Sequence, residues 1–196
     1  MLLSTMPKLN LEIVKAPNEI LYQESKYIHE VTEEVRTLFV EMYQYLISTK
    51  NGIGLAAVQV GYLVKLIILH QENFDVECAS HDLQYEQIMA LEEKHPIVML
   101  NPRVIQNSDH YTEFEEGCLS FPGLFVKVKR PAEVIVEYED MKMRTKTLQL
   151  SHSILSVCVQ HEIDHTNGTV FLDRLSPLKR SLALQKYKKL CSAAED

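Results

Sequence analysis

The residues best suited to chemistry lie together in the stretch Gln160–His165, which reads Gln-His-Glu-Ile-Asp-His. His161 and His165 are four residues apart, so on a helix they share one face and both imidazoles can reach a single metal ion. Glu162 projects about 100° around the helix from the first histidine. A carboxylate in that place, beside the metal, can accept a proton from a water molecule that the metal activates. The spacing therefore predicts two metal ligands with a general base between them.

An alternative interpretation of this stretch is a solvated helix face that carries two histidines and two acids. The residues before it argue against that interpretation, because they make the helix apolar nearly all around, as in a helix buried within a core. These residues are Ile154, Leu155, Val157, Cys158 and Val159. Buried histidines destabilise a fold unless they have partners, and a metal ion is the partner that this spacing suits.

A catalytic metal of this kind takes three protein ligands, so a third ligand is needed. Gly168 matches the glycine of the extended His-Glu-x-x-His-x-x-Gly-x-x-His motif, but the position of its third histidine is Phe171. The one glutamate after the stretch, Glu195, is next to the last residue of the sequence, where fraying makes a poor ligand. Upstream, Cys118 lies in the run Glu-Glu-Gly-Cys-Leu-Ser and is a candidate, although a single cysteine is more often a small buried hydrophobe.

Length and composition indicate one globular domain over residues 1–196. The chain is 46% hydrophobic and 24% charged, which is ordinary for a soluble protein with a sizeable core. The sequence has neither a basic leader followed by an apolar run nor an apolar stretch long enough to span a bilayer. We therefore expect a cytoplasmic protein without a membrane partner. The four cysteines, at positions 78, 118, 158 and 191, show no close pairing and are better interpreted as thiols or ligands than as disulfides.

Charge is spread unevenly along the chain. The net charge of −7 argues against a surface that wraps nucleic acid or reads specific DNA. Between residues 71 and 95 there are seven acidic residues and one lysine, so this segment is interpreted as an acidic excursion. The segment from Lys179 to Lys189 contains five basic residues and no acidic ones: Lys179, Arg180, Lys186, Lys188 and Lys189. Charge runs are usually solvated faces, and that is the default interpretation of both segments.

Helical signals occur at three places. Hydrophobic periodicity predicts an N-terminal helix capped by Thr32 and stopped at Asn51-Gly52. The helix that carries the two histidines is capped by Ser151 or Ser153 and ends at Asn167-Gly168. A C-terminal helix is predicted over residues 177–194. Between the first two helices, residues 52–59 are rich in glycine and alanine, which suits a place where the backbone approaches another group closely.

Strand signals fill most of the chain between the helices. They occur at Lys65–Leu69, Ile97–Leu100, Phe125–Lys129, Glu133–Tyr138 and Arg144–Leu150. Turns are predicted at Asn101-Pro102, Phe121-Pro122-Gly123, Arg130-Pro131 and Asp140-Met141. Helices that are separate from antiparallel strands predict an α+β fold. We expect antiparallel β-sheets packed around a central metal-binding helix, with an N-terminal helix and a C-terminal helix.

Three motifs in this order resemble the peptide deformylase family. They are Gly-x-Gly-x-Ala-Ala-x-Gln at residues 52–59, Glu-Gly-Cys-x-Ser at 116–120 and Gln-His-Glu-x-Asp-His at 160–165. The likeness continues through residues 173–179, which read Asp-Arg-Leu-Ser-Pro-Leu-Lys, and so covers most of the chain from Val14 to the last helix. Any one motif is unspecific, but three at domain-scale spacing are strong evidence.

The resemblance implies a metal-dependent hydrolase that removes the formyl group from the N-terminal formyl-methionine of nascent bacterial or organellar polypeptides. It implies that Cys118, His161 and His165 hold the metal and that Glu162 is the general base and acid. Ferrous iron (Fe2+) is the implied native ion, with Zn2+, Ni2+ or Co2+ able to substitute, although the ligand types alone do not name the ion. It also implies that the basic C-terminal helix docks on the ribosome.

Further site residues are expected around these ligands. The resemblance implies that Gln59 and the backbone N–H of Leu119 are the oxyanion donors, and we expect Gly54 to be a further catalytic residue. We expect the substrate, whose methionine side chain needs an apolar pocket, to contact Gly52, Ile53, Gly54, Phe114, Glu116, Gly117, Ile154, Val157 and Cys158. Phe125 departs from the family, because many bacterial members carry arginine there. The excursion over residues 71–95 is also longer than in the shorter members.

Two other classes of protein compete with this assignment. A metallopeptidase of the His-Glu-x-x-His type would normally have its third ligand downstream, where no suitable residue lies. A non-catalytic, ribosome-associated metal-binding module would need a fourth ligand and would have no use for Glu162.

Overall fold

The computed structural model describes residues 9–49, 52–70 and 96–195. These residues form three α-helices, α1 (Glu33–Ser48), α2 (Ile154–Thr166) and α3 (Pro177–Glu195). They also form seven strands: β1 (Gly54–Ala56), β2 (Leu66–Leu69), β3 (Ile97–Asn107), β4 (Tyr111–Cys118), β5 (Phe121–Pro131), β6 (Glu133–Glu139) and β7 (Thr145–Ser151). The predicted α+β fold is confirmed. The acidic excursion over residues 71–95 and the predicted helix stop at Asn51 lie outside the described residues.

All the strand pairs are antiparallel and form two sheets. The larger sheet has the order β1-β2-β3-β6-β7, and β4 and β5 form a separate hairpin. Within the part of the chain that the structure describes, no helix is both long enough and apolar enough to cross a membrane.

Helix α2 is the central element, as predicted. The Ser153 hydroxyl caps it by accepting a hydrogen bond from the Ser156 N–H at 3.2 Å, so of the two predicted caps Ser153 is the one observed. All its residues after Ile154 are buried, and it packs against β1, β2, β3 and β7. The helix ends at Asn167, and Gly168 follows with a φ of 69°, where a Cβ would lie 2.8 Å from the Tyr22 carbonyl oxygen. Such close packing excludes larger residues at position 168.

Helix α1 covers the opposite side of the β1–β2 region. Thr32 caps its first turn, as predicted, by accepting a hydrogen bond from the Val35 N–H at 3.4 Å. The helix ends at Ser48, a little before the predicted stop. Its buried residues, Leu38, Phe39, Met42, Tyr43 and Leu46, pack in one cluster with Leu55, Leu66 and Ile68.

The predicted end of β3 is wrong. The strand predicted to close at Asn101-Pro102 continues to Asn107, because a register shift between Leu100 and Arg103 accommodates a proline, which has no N–H to donate. Asn101 has a φ of 52°, and its side chain exchanges two hydrogen bonds with the Ile28 backbone, at 2.7 and 2.8 Å. This kink is therefore fixed by a distant segment of the chain.

The hairpin of β4 and β5 also differs from the prediction. β4 was not predicted, and β5 begins at Phe121, so the predicted turn at Phe121-Pro122-Gly123 is wrong. The chain turns instead at Leu119 and Ser120, and the register shifts between Gly117 and Cys118. The bend places Cys118 at the end of the hairpin, where it faces helix α2.

Candidate metal centre and active site

The side chains of Cys118, His161 and His165 converge on one point. Their ligand atoms all lie within 4.8 Å of one another, and the Cys118 Sγ is 3.3 Å from the His165 Nε2. Helix α2 supplies both histidines, one turn apart, and the end of β4 supplies the thiol. Around a tetrahedral ion with metal–sulfur and metal–nitrogen bonds of about 2.3 and 2.1 Å, ligand atoms stand roughly 3.6 Å apart. The three residues present therefore fit a divalent metal ion.

A buried carboxylate fixes the orientation of one histidine. Glu116, two residues before Cys118, lies 2.9 Å from the His161 Nδ1, which leaves the Nε2 of that ring for the metal. Arg130 donates to both oxygens of Glu116, at 2.5 and 2.9 Å, and is 2% exposed. Such partners set the tautomer and orientation of metal-binding histidines. Glu116 was predicted to contact substrate; it does line the cavity described below, but both its oxygens are already engaged.

A second carboxylate extends this ion-pair network. Asp164, on the same helix, accepts a hydrogen bond from the Arg130 Nη1 at 2.8 Å. It also accepts two from Arg174, one of them at 3.0 Å. Two arginines and two carboxylates thus connect the hairpin, helix α2 and the segment before α3. Of these two arginines, Arg130 is buried and Arg174 is half-exposed.

The pKa values in this network have physical causes that can be named. Burial alone would raise the pKa of Glu116, but hydrogen bonds from His161 and Arg130 hold it below its usual value. Burial would likewise lower the pKa of His161, but hydrogen bonds with Cys118 and Glu116 raise it well above its usual range. Burial and the neighbouring His161 lower the pKa of His165 well below its usual value. A divalent cation and protons compete for the same ligand atoms.

Glu162 lies beside the three converging side chains. Its Oε2 is buried and has no hydrogen-bond partner among the described residues. Burial raises its pKa to about 7. A Cβ built at Gly54 would lie 2.8 Å from the Glu162 Oε1 and 2.6 Å from the Cys158 Sγ. Gly54 therefore permits the close approach of β1 to Glu162 and Cys158, as the glycine- and alanine-rich residues 52–59 predicted.

Gln59 faces the ligands with its amide group oriented. Its Oε1 accepts a hydrogen bond from the Ala56 N–H at 2.8 Å, so its Nε2 is directed at the Cys118 Sγ, 3.4 Å away. Gln59 is 1% exposed and lies in a 3-10 helix, Ala57–Val60. The side chain can therefore donate to an oxygen atom placed beside the thiol.

One N-terminal segment ties the loops of Gln59 and Leu119 together. The Val14 N–H donates to the Gln59 carbonyl at 2.8 Å, and the Ala16 N–H donates to the Ser120 carbonyl at 2.9 Å. Ser120 follows Leu119 in the hairpin turn. The relative position of the two expected oxyanion donors is thus held by backbone hydrogen bonds to residues 14–16.

A cavity of about 500 Å³ opens above these groups. Cys118, His161, Glu162 and Gln59 line it together with Leu119, whereas His165 lies behind them. The residues expected to contact substrate that line it are Gly52, Ile53, Gly54, Glu116, Gly117, Ile154, Val157 and Cys158. The structure does not bring Phe114 to the cavity. Phe114 pairs with Val128 farther along the hairpin, and four residues of strand separate it from Cys118 by about 13 Å.

Arg130 and Arg174 are the functional residues that sequence reasoning missed. Arg130 was interpreted as part of a turn before Pro131, whereas it is the buried counter-ion of Glu116 and Asp164. A signal was present, since Glu116 and Asp164 stand inside the two ligand motifs and buried acids require cations. Nothing local in the sequence identifies which cation serves them.

Comparisons with known proteins identify the family of the chain. The polypeptide deformylase family matches residues 10–181. A peptide deformylase of Hydrogenovibrio crunogenus is 39% identical over 179 residues, which cover 91% of this chain and 94% of that relative. The crystal structure of peptide deformylase from Ehrlichia chaffeensis has a TM-score of 0.77 at 32% identity and covers 95% of this chain and 99% of that one. The crystal structure of a plant peptide deformylase, PDF1B, has a TM-score of 0.77 at 29% identity. It covers 97% of this chain and 94% of that one. The chain belongs to the polypeptide deformylase family.

Proposed function

We propose that the cavity above Cys118 binds the N-terminal formyl-methionine of a nascent polypeptide and that its residues hydrolyse the formyl group, releasing formate. The chain is a metal-dependent hydrolase of the deformylase family. The observation that carries the residue assignment is that Cys118, His161, Glu162 and Gln59 line the floor of one cavity. Release of formate from formyl-Met-Ala tests the proposed activity.

The proposed chemistry assigns a separate task to each group. A divalent cation held by Cys118, His161 and His165 would supply a Lewis acid that activates water and polarises the formyl carbonyl. Glu162 takes a proton from the attacking water as the new carbon–oxygen bond forms. The carbon–nitrogen bond then breaks, and Glu162 passes that proton to the departing amine. A pKa of about 7 suits both steps, because the carboxyl group must accept and release a proton near neutral pH.

Two donors stabilise the negative charge that develops on the formyl oxygen. The Gln59 amide already points its Nε2 at the thiol, and the Leu119 backbone N–H follows Cys118 in the hairpin turn. One such donor contributes about 3 to 4 kcal/mol in the transition state. Gly54 contributes to catalysis because it has no side chain. A Cβ at this position would displace Glu162.

The methionine side chain is proposed to enter the apolar part of the cavity. Ile53, Val157 and Cys158 line it, and Ile154 lies at its edge with 41% of its surface exposed. Three of these residues lie on helix α2 just before His161, so the pocket and the ligands are held by one rigid element.

We propose ferrous iron as the working ion, which the ligand types alone do not decide. Iron with an open position beside the Cys118 thiolate reacts with oxygen and carries the thiolate toward sulfenic and sulfonic acid. Protein purified without oxygen should contain iron and lose activity on aeration, with mass added at Cys118. The forms substituted with Co2+ or Ni2+ should keep their activity under the same aeration. An iron form that is stable in air, or a zinc form of equal activity, would contradict this choice.

The exposed lysines of α3 are proposed to dock on the ribosome, in the cytoplasm, beside the nascent chain. Lys179, Lys186, Lys188 and Lys189 are exposed, whereas Arg180 pairs with Asp173 at 3.0 Å. Changing the four lysines to serine should weaken co-sedimentation with ribosomes, and the wild-type binding should fall steeply with salt. Serine at Lys142, in the turn before β7, and at Lys146, in β7, serves as the control, because both lysines are exposed and lie outside α3. Unchanged co-sedimentation of the fourfold variant would leave these lysines as a solvated face.

A further inference from the structure

The hydroxyl of Tyr187, on helix α3, contacts the segment that ties the loops of Gln59 and Leu119 together. This buried tyrosine donates a hydrogen bond to the Ala16 carbonyl at 3.2 Å. The Ala16 N–H in turn donates to the Ser120 carbonyl at 2.9 Å. Ser120 immediately follows Leu119, whose backbone N–H is the proposed oxyanion donor. Two hydrogen bonds and a short length of backbone therefore connect α3 to that donor.

The ring of Tyr187 belongs to a series of aromatic contacts that ends at a metal-ligand candidate. Its centroid lies 5.1 Å from that of Phe121, the residue after Ser120. Phe121 contacts Phe171 edge to face at 5.4 Å, and the Phe171 centroid lies 5.6 Å from that of the His161 ring. Both phenylalanines are buried. In a close-packed interior a shift of one ring is transmitted to the next, so the position of α3 is felt at the reactive centre.

The hydrogen bond of Tyr187 adds direction to contacts that are otherwise apolar. Ala183, Leu184 and Leu190 of α3 pack in the same hydrophobic cluster as Tyr187, and such packing is not directional. Burial raises the pKa of the tyrosine hydroxyl to about 12, and the neighbouring Cys191 adds to this effect. The hydroxyl therefore stays protonated near neutral pH and remains a donor.

We propose that Tyr187 is a positioning residue whose hydroxyl, through Ala16 and Ser120, fixes the place of the Leu119 N–H. An oxyanion donor must lie about 2.7 to 3.1 Å from the oxygen that becomes charged, so a small displacement of the turn weakens it. Tyr187 is not among the residues that line the cavity, so it acts through others. This inference rests on the proposed deformylase function. The competing role is structural, in which the tyrosine only anchors α3.

Steady-state kinetics of Tyr187→Phe with formyl-Met-Ala test the proposal in the metal-loaded protein. The variant keeps the ring and loses only the hydroxyl. We expect kcat to fall about 5-fold, the effect of one hydrogen bond of ordinary strength. KM should stay unchanged, because the Leu119 donor acts in the transition state. Tyr187→Leu also removes the ring contact with Phe121 and should lower kcat by on the order of 10²-fold.

Amide hydrogen exchange tests the connection without turnover. In Tyr187→Phe the Ala16 N–H should exchange about 5-fold faster than in the wild-type protein, because its segment opens more readily. The amides of helix α2 should keep their wild-type rates. Wild-type exchange at Ala16 would show that the hydroxyl does not hold this segment and would overturn the proposal.

Tyr27→Phe is the matched control. It also removes one tyrosine hydrogen bond, to the Glu139 Oε2 at 3.1 Å, and Tyr27 lies outside the cavity lining. This variant should keep the wild-type kcat and KM.

The kinetic outcomes separate positioning from anchoring. A wild-type kcat in Tyr187→Phe, measured below its melting temperature, would overturn the proposal and leave the tyrosine as an anchor of α3. A raised KM at constant kcat would also overturn it, because the loss would then lie in substrate binding. If the wild-type protein itself releases no formate from formyl-Met-Ala, the deformylase function fails and the positioning role fails with it.

Discussion

Glu162→Gln is expected to lower kcat for deformylation by about 10³-fold while metal binding is retained. The side chain keeps its shape, and the Oε2 that loses its basicity has no partner among the described residues, so the substitution disturbs no described contact of that atom. The ligand atoms of Cys118, His161 and His165 are unchanged. Metal analysis should therefore give about one ion per chain, as in the wild-type protein. Glu113→Gln, an exposed change on β4 that is not in the cavity lining, is the matched control.

The same variant distinguishes a base from a ligand. If Glu162→Gln purifies without metal, the carboxylate is a ligand and the proposed division of roles is wrong. If it keeps both metal and activity, another group removes the proton. Only metal retention with loss of turnover agrees with a general base.

Arg130→Met is expected to lower the free energy of unfolding by about 3 to 5 kcal/mol. The substitution leaves Glu116 and Asp164 buried without the cation that they share, although methionine fills a similar volume. The main cost arises at Glu116, which then lies buried without its arginine, whereas Asp164 keeps its pair with Arg174. Metal affinity should fall as well. Without Arg130, the Glu116 carboxylate is no longer fixed and orients the His161 ring less well. Chemical denaturation and competition with a metal chelator measure the two effects.

Arg103→Met is the matched control for this network. Arg103 also pairs with a glutamate, Glu137, at 2.6 Å, but its side chain is 70% exposed. Solvent and salt weaken such a pair, so its loss should cost at most about 1 kcal/mol. Equal destabilisation by Arg130→Met and Arg103→Met would show that the buried network does not support the fold. A restored stability on adding Glu116→Gln to Arg130→Met would identify the unpaired carboxylate as the cause.

The parts of the fold that the sequence predicted are those whose signals are local. The cap, the apolar flanks and the histidine spacing of α2 lie within one run of residues, so the helix and its two histidines could be predicted together. The Gly54 contact was also predictable in kind, because a run of small residues indicates a close approach. The partner of that approach, Glu162, is far away in the chain and only the fold identifies it.

The parts that escaped prediction depend on distant contacts. Asn101 reads as a strand end beside proline, yet hydrogen bonds to Ile28 hold it in the left-handed region and the strand continues. Arg130 reads as a turn residue, yet two acids 14 and 34 positions away surround it. Phe114 was expected to contact the substrate, but an extended strand carries it away from the cavity.

The assignment is tested most directly by comparing three substrates with the iron-loaded protein: formyl-Met-Ala, acetyl-Met-Ala and a peptide blocked at both ends. Formate release from formyl-Met-Ala, with little or no cleavage of the other two, is the expected result, because Glu162 and the apolar side chains of Ile53 and Val157 line the same cavity. Cleavage within the blocked peptide would indicate a metallopeptidase. Absence of turnover on all three, with metal bound, would indicate a binding module and contradict the deformylase assignment.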